Sequence, residues 1–280
     1  MPKKFMIRCD MEGASGIVSY DQVVPGEKEY DYGQRLFMSD LDALISGLIA
    51  GGADEIHIYD EHYYGRNVLL DGLPDNVFVY CGKPPYLRNW AGGLDESFEG
   101  LILLGLHAKS GTPRATLQHT YEHDIRDIVL NGRSVGEIGV ETAIAGDYGV
   151  PLLMITADSA GVEEARCLVP DVTGVAVKES LCEWGARCLP AGVTSRLIGD
   201  KARAIAKSGR GNGQPLRLGP DVQMDIALRE GAYLQAYRAL FPDTFVSGDT
   251  IRLQGANTTA VWADYWQNKL QTLAALEAGQ

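Results

Sequence analysis

The chain has 280 residues, with 25 Lys+Arg against 37 Asp+Glu and a formal net charge of −12. Hydrophobic residues make up 45% and charged residues 22%, ordinary values for a globular protein with room for one large domain or two modest ones. The acidic balance argues against nucleic acid or an anionic membrane as partner, because either polyanion repels it, and no apolar run approaches the ~20 residues of a membrane helix.

Short apolar runs alternate with longer helix-like segments. Phe5 to Cys9 reads as a strand, and Arg8 and Asp10 interrupt any secretion-signal core. Residues 33–50 carry helical periodicity through Leu36, Leu41, Leu44, Ile45, Leu48 and Ile49, stopped by Gly51-Gly52. Strands are predicted at 56–59, 77–80 and 101–106, the last apolar throughout as in a strand covered on both faces. Residues 125–130 read as a strand turning at Asn131-Gly132, 136–148 as a helix, 151–156 as a strand, 161–168 as a short helix and 172–177 as a strand.

This rhythm predicts an α/β fold, a largely parallel central sheet flanked by helices. After about residue 190 the pattern changes. A helix over 194–207, a glycine-rich loop over 208–215, a strand over 221–228, a helix over 230–240, a strand pair around 244–253 and a helix from about 257 follow. The division expected is a metal-binding catalytic domain over 1–190 and a second, smaller α/β lobe over 191–280 that completes the pocket and subunit contacts.

Ligands in such folds bind beyond the carboxyl ends of the strands. Those ends carry Asp10-Met11-Glu12-Gly13, Asp60-Glu61-His62 and Gly105-Leu106-His107, with His119 further on and Glu137 opening the next helix. Asp10 and Glu12 are two apart, which in extended chain puts both carboxylates on one side, where they repel. A divalent cation relieves that repulsion, and neutral imidazoles at His62 and His107 suit Zn²⁺, Mn²⁺ or Co²⁺. Five ligands, with Glu137, exceed what one structural Zn²⁺ takes and suit a two-metal site, a pair able to activate water and hold a carbonyl oxygen.

Other features carry less. His57 lies inside an apolar strand and reads as structural. His119 and His123 are four apart, but the residues around them read at least as well as strand as helix. The Gly209–Gly213 stretch lacks the Lys-Ser/Thr of a phosphate loop, and no Gly-x-Ser-x-Gly elbow is present. Cys9 sits beside carboxylates that raise a thiol pKa and argue against a nucleophile. The five cysteines are odd in number and form no Cys-x-x-Cys pair, the pattern of a cytoplasmic chain with reduced thiols.

Together these segments resemble the M55 family of metallopeptidases, the D-aminopeptidases. The resemblance rests on Asp10-Met11-Glu12-Gly13-Ala14-Ser15-Gly16, Asp60-Glu61-His62, Gly105-Leu106-His107-Ala108 with Thr112-Pro113 and His119, and Asn131-Gly132-Arg133-Ser134-Val135-Gly136-Glu137-Ile138-Gly139. It covers residues 4–190 by motif and the remainder more loosely. It implies that Asp10, Glu12, His62, His107 and Glu137 hold two divalent ions per chain, expected to be Zn²⁺, with Asp10 bridging. His119 is similar to the family's catalytic histidine. The interval from His107 to His119 is one residue longer than the family's usual pattern, the mark of a small loop insertion, and His123 matches nothing in it.

The function implied is a zinc-dependent aminopeptidase that releases an N-terminal residue, expected to be a D-amino acid, from short peptides or amino acid amides. The family also implies a ring-like homo-oligomer, possible as a decamer. The alternatives are an amidase or L-aminopeptidase with the same two-metal site, a metal-dependent phosphoesterase using Arg66 or Lys109, and a non-catalytic peptide-binding protein.

Overall fold

The computed structural model describes residues 2–278. In chain order the elements are β1 (Lys4–Cys9), α1 (Tyr30–Ala50), β2 (Glu55–Asp60), β3 (Val77–Tyr80), β4 (Phe98–Leu106), β5 (Ile125–Leu130), β6 (Arg133–Val135), α2 (Glu137–Asp147), β7 (Leu152–Asp158), α3 (Ser159–Leu168), β8 (Thr173–Cys182), β9 (Gly185–Cys188), α4 (Ala191–Ser208), β10 (Val222–Leu228), α5 (Ala232–Leu240), β11 (Thr250–Gly255) and α6 (Thr258–Ala278).

The strands form two sheets. The larger has seven strands in the order β3-β2-β1-β4-β7-β8-β9. Every neighbouring pair is parallel except β8 with β9. This is the largely parallel sheet that the strand–helix rhythm predicts. Residues alternate across it: Phe5, Ile7 and Cys9 of β1 pack toward α1 and α4, while Met6 packs toward the core shared with α2, α3 and α6. Both faces are buried, which is why residues 101–106 of β4 are apolar throughout.

The second sheet has four antiparallel strands in the order β11-β10-β5-β6, with α6 lying across β10 and β11. It draws strands from both sides of residue 190. β5 therefore leaves the parallel sheet, although its sequence fits the same strand–helix rhythm. Asn131 and Gly132, at φ +46° and +81°, make the tight turn that brings β6 back onto β5 before α2 begins.

The strand pair expected around 244–253 is a single strand, β11. Pro242 opens a 3-10 turn ending at Thr244, and Phe245 makes only an isolated bridge to Ile251. The β8–β9 hairpin was not visible in the apolar pattern, because β9 is mostly exposed.

Chain order in the large sheet reverses at β1. The chain winds outward through β2 and β3, then crosses back to β4 and on to β7. Loops leaving β1 and β4 consequently part in opposite directions and open a crevice at the carboxyl ends of these strands, the usual place for a ligand in an open α/β sheet.

Candidate metal centre

The crevice is built by a close approach of two backbones. Gly13 N–H donates to the Gly105 carbonyl at 2.7 Å, and a Cβ at Gly13 would lie 1.7 Å from the Leu106 carbonyl oxygen. Gly105, at φ +71°, would in turn place a Cβ 2.1 Å from the Asp10 carbonyl oxygen. Only glycine at both positions lets the loop after β1 cross the end of β4.

Asp10, Glu12, His62, His107 and Glu137 all converge there, and all are buried. Asp10 stands in the middle. Its Oδ1 lies 2.7 Å from His62 Nδ1, and its Oδ2 lies 3.3 Å from His107 Nε2. Glu12 Oε2 joins the first side at 3.2 Å from His62 Nδ1, and Glu137 Oε1 joins the second at 3.3 Å from His107 Nε2. Two clusters of potential donor atoms result: Asp10, Glu12 and His62 in one, and His107, His119 and Glu137 in the other.

The tautomers follow from the backbone. His62 Nε2 lies 2.7 Å from the Val23 carbonyl and His107 Nδ1 lies 3.0 Å from the Ala108 carbonyl. A carbonyl only accepts, so each of these nitrogens carries the hydrogen. The other nitrogen of each neutral ring then turns a lone pair toward carboxylate oxygens. His107 Nε2 and Glu12 Oε2 are buried with no hydrogen bond to satisfy them. Acceptors facing acceptors in a buried pocket are costly unless a cation or proton lies between them. Burial opposes charging the imidazoles, but Glu12 and Asp10 raise the His62 pKa well above its ordinary value, and Glu137 and Asp10 do the same to His107. Burial likewise opposes ionisation of Asp10, yet its contacts with His107 and His62 hold it well below the usual carboxylate range. The donor set, two imidazoles and three carboxylates, fits Zn²⁺.

His119 sits on the loop between β4 and β5, not on a helix or strand. Its Nδ1 lies 3.0 Å from the Leu117 carbonyl and its Nε2 lies 4.0 Å from Glu137 Oε1. Its ring stacks on His107. Leu117 and Tyr121 flank it in left-handed backbone, at φ +51° and +55°. Such strain persists only where the surroundings impose it. Here Leu117 N–H is tied to the Glu183 carbonyl at 2.9 Å, and Thr116 N–H to Asp158 Oδ2 at 3.0 Å. Tyr121 N–H donates to Glu137 Oε1 at 2.6 Å. His123 stacks on the far side of His119 and edges against Tyr20.

Several supporting residues were not singled out as site residues from the sequence. Asp60 ends β2 and accepts from the backbone N–H of Asn67 at 2.6 Å and of His62 at 3.2 Å, which fixes the turn presenting the imidazole. Lys178 is buried in β8 and donates to the carbonyls of Glu12, Ala14 and Ile17 at 2.6, 3.0 and 2.5 Å. It holds the loop that carries Glu12, and burial lowers its pKa to about 8. Arg8 is buried beneath the centre and pairs with Glu61 at 3.1 Å and with Glu141, whose other oxygen accepts from Tyr121 at 2.8 Å. The available signal was a charge inside an apolar strand run: Arg8 in β1 and Lys178 in β8.

Cys9 is buried and inert, its thiol pKa pushed well up by burial and by Asp60 and Asp10. Lys109 donates to Ser134, and Arg66 lies over the Tyr64 ring at 5.2 Å. Neither is paired with the carboxylate cluster.

Outward from His119 the crevice widens into a cavity of about 370 Å³, walled by His119 and His123 on one side and by Tyr20 and Trp184 among the other lining residues. A larger cavity of about 850 Å³ lies elsewhere, against the 208–216 loop and the starts of β7 and β8, and is lined neither by His119 nor by the five converging residues. The smaller one is the cavity that matters for chemistry, because it opens onto His119.

Comparison with known proteins agrees with this geometry. The family model Peptidase M55, described as D-aminopeptidase, matches residues 3–264. A D-aminopeptidase of Bacillus subtilis (strain 168) is 30% identical over 253 residues, 90% of each chain. Among solved structures, the Zn-dependent D-aminopeptidase DppA from Bacillus subtilis, described as a self-compartmentalizing protease, superposes with a TM-score of 0.86 at 28% identity, over 97% of both chains.

Proposed function

The chain belongs to the M55 peptidase family, and from that premise we propose that it is a zinc-dependent D-aminopeptidase with two metal ions per chain. The observation that carries the reading is the position of Asp10, one oxygen toward His62 and Glu12 and the other toward His107 and Glu137. A bridging carboxylate between two imidazole–carboxylate groups is the arrangement a metal pair requires.

Asp10, Glu12 and His62 would hold one ion, and Asp10, His107 and Glu137 the other. Ions bound by these residues would supply Lewis acidity for amide hydrolysis. The backbone carbonyls of Val23 and Ala108 keep the hydrogens of His62 and His107 away from the centre, so that the ligating nitrogens stay free. His119 is the acid–base group. Its Nδ1 hydrogen is held by the Leu117 carbonyl, which leaves Nε2 to accept a proton and return it to the leaving amine. Tyr20 and Trp184 form part of the wall of the cavity outside His119.

The substrate is a short peptide or amino acid amide with a free amino terminus. An amidase or L-aminopeptidase reading uses the same centre and differs only in the pocket. A phosphoesterase reading lacks support, because Lys109 and Arg66 are engaged elsewhere. The self-compartmentalizing relative supports a ring-like homo-oligomer, and the stretch 191–280 is assigned to pocket and subunit contacts. No helix among the described residues is long and apolar enough to cross a membrane. The five unpaired cysteines support a reducing, cytoplasmic setting.

The test is elemental analysis coupled to a screen of D- and L-aminoacyl dipeptides. Two metal ions per chain, D-selective release of the N-terminal residue and loss of both in His107→Ala and Glu137→Ala are expected. Activity that survives complete chelation, or tight peptide binding with no turnover in metal-replete protein, overturns the reading.

A further inference from the structure

The cavity outside His119 carries one feature that the metal centre does not explain. Arg229, the residue after β10, lines it. Its backbone is clamped, with N–H donating to the Asp124 carbonyl at 2.7 Å, but its guanidinium makes no ion pair with any described residue. Its one side-chain hydrogen bond is to Ser110 Oγ, at 3.0 Å. Ser110 is itself fixed, because its N–H donates to Thr120 Oγ1 at 3.0 Å, inside the loop that carries His119. Asp124, Glu230 and Glu122 are near in sequence, yet none pairs with this arginine.

An exposed arginine fork without a carboxylate partner, beside a hydroxyl and at the wall of the cavity that opens onto His119, suits a planar anion. In a peptide substrate that is unmodified at its termini, the anion furthest from the scissile bond is the α-carboxylate.

We propose that Arg229, with the Ser110 hydroxyl beside it, binds the free C-terminal carboxylate of the substrate, so that the site selects short peptides ending within the cavity. This rests on the aminopeptidase reading and adds a substrate class to it: free-acid peptides over C-terminally blocked or longer ones. The cavity of about 370 Å³ is at the small end for a ligand site, which agrees with a dipeptide-sized occupant.

The experiment compares D-alanyl-D-alanine with its C-terminal amide, using wild type, Arg229→Ala and Arg229→Lys holoenzymes of matched metal content. In wild type the free acid is preferred in kcat/KM by about 10-fold or more, the size of a charge-assisted hydrogen-bonded pair. Arg229→Ala removes that preference through KM for the acid and leaves the amide within about 3-fold, while Arg229→Lys recovers part of it. Equal losses on acid and amide would show a structural role only and overturn the proposal. Equal use of acid and amide by wild type overturns it as well, with the aminopeptidase reading intact. Failure to cleave either substrate in metal-replete wild type removes the aminopeptidase reading itself.

Discussion

The imidazole rings of His107 and His119 lie 4.1 Å apart, centre to centre, and 14° from parallel. The two rings nevertheless face different surroundings. His107 turns its Nε2 into the buried carboxylates, whereas His119 forms part of the wall of the open cavity. Stacking fixes the second ring against the first, so the position of the metal centre also sets the position of the proton-transfer group.

These two histidines are therefore separable by experiment. His119→Ala is expected to keep its metal and to lose about 10²–10⁴-fold in kcat, the usual contribution of a positioned acid–base group. His107→Ala is expected to lose metal and activity together. Metal analysis beside steady-state kinetics reads both. Loss of metal from His119→Ala to the same degree as from His107→Ala would instead make His119 a ligand, a geometry its closeness to Glu137 permits.

Lys178 tests how the Glu12 loop is held. Substitution to Met preserves most of the volume and leaves the buried carbonyls of Glu12 and Ile17 without their donor, while the Ala14 carbonyl keeps only the N–H of Ile17 at 3.4 Å. Each costs about 1–3 kcal/mol when left unsatisfied, so Lys178→Met is expected to lose several kcal/mol in denaturant unfolding. Metal affinity falls with it, because Glu12 shares the loop. A stability within 1 kcal/mol of wild type, a difference roughly that of one ordinary hydrogen bond, would contradict this.

Asp40 predicts a pH dependence of stability. Burial in α1 beneath Ser15 pushes its carboxyl up to about 6, even though Ser15 N–H and Oγ–H both donate to it. The folded protein thus holds this proton more tightly than the unfolded chain does. The sign is that of a raised acid: its stabilising contribution is fully present below the unfolded carboxylate value and is lost as pH rises through about 6. Asp40→Asn removes the titration. The stability of the variant relative to wild type is expected to rise by about 2–3 kcal/mol between pH 4 and pH 7.5, at about 1.4 kcal/mol per tenfold in proton affinity. Taking the difference between variant and wild type cancels the titration of the metal ligands. Parallel urea-stability curves for the two proteins across that range would refute it.

Much of the main sheet is legible in the chain itself. Strands that are buried on both faces carry long apolar runs, and residues 101–106 of β4 and 152–155 of β7 announce themselves that way. β9 and β6 do not. The first is mostly exposed and the second has three residues, so neither needs an apolar pattern, and each exists because a neighbouring strand offers it a ladder. The same holds for β5. Its alternation fits either sheet, and only β10, nearly a hundred residues later, draws it into the antiparallel one.

Residue types near the strand ends single out Asp10, Glu12, His62, His107 and Glu137, although β1 ends at Cys9 and Glu12 stands in the turn after it, so the extended spacing expected from the sequence is not what brings the two carboxylates together. Their convergence needed more. Strand order is a matter of long-range pairing, and it is the reversal at β1 that sets β1 between β2 and β4 and brings Asp10 within reach of both imidazoles. The supporting residues show the same division. Lys178 and Arg8 are visible in the chain as charges in apolar strands, but what they hold is decided by contacts with Glu12, Ala14, Ile17, Glu61 and Glu141 across the fold. Local sequence determined which side chains stand at the strand ends as candidates, since composition and period act within a few residues. Tertiary structure alone decided which atoms face one another, that Asp10 lies between two groups and that Arg229 lines the cavity with Ser110 but no carboxylate as its partner, because those outcomes depend on packing between segments far apart in the chain.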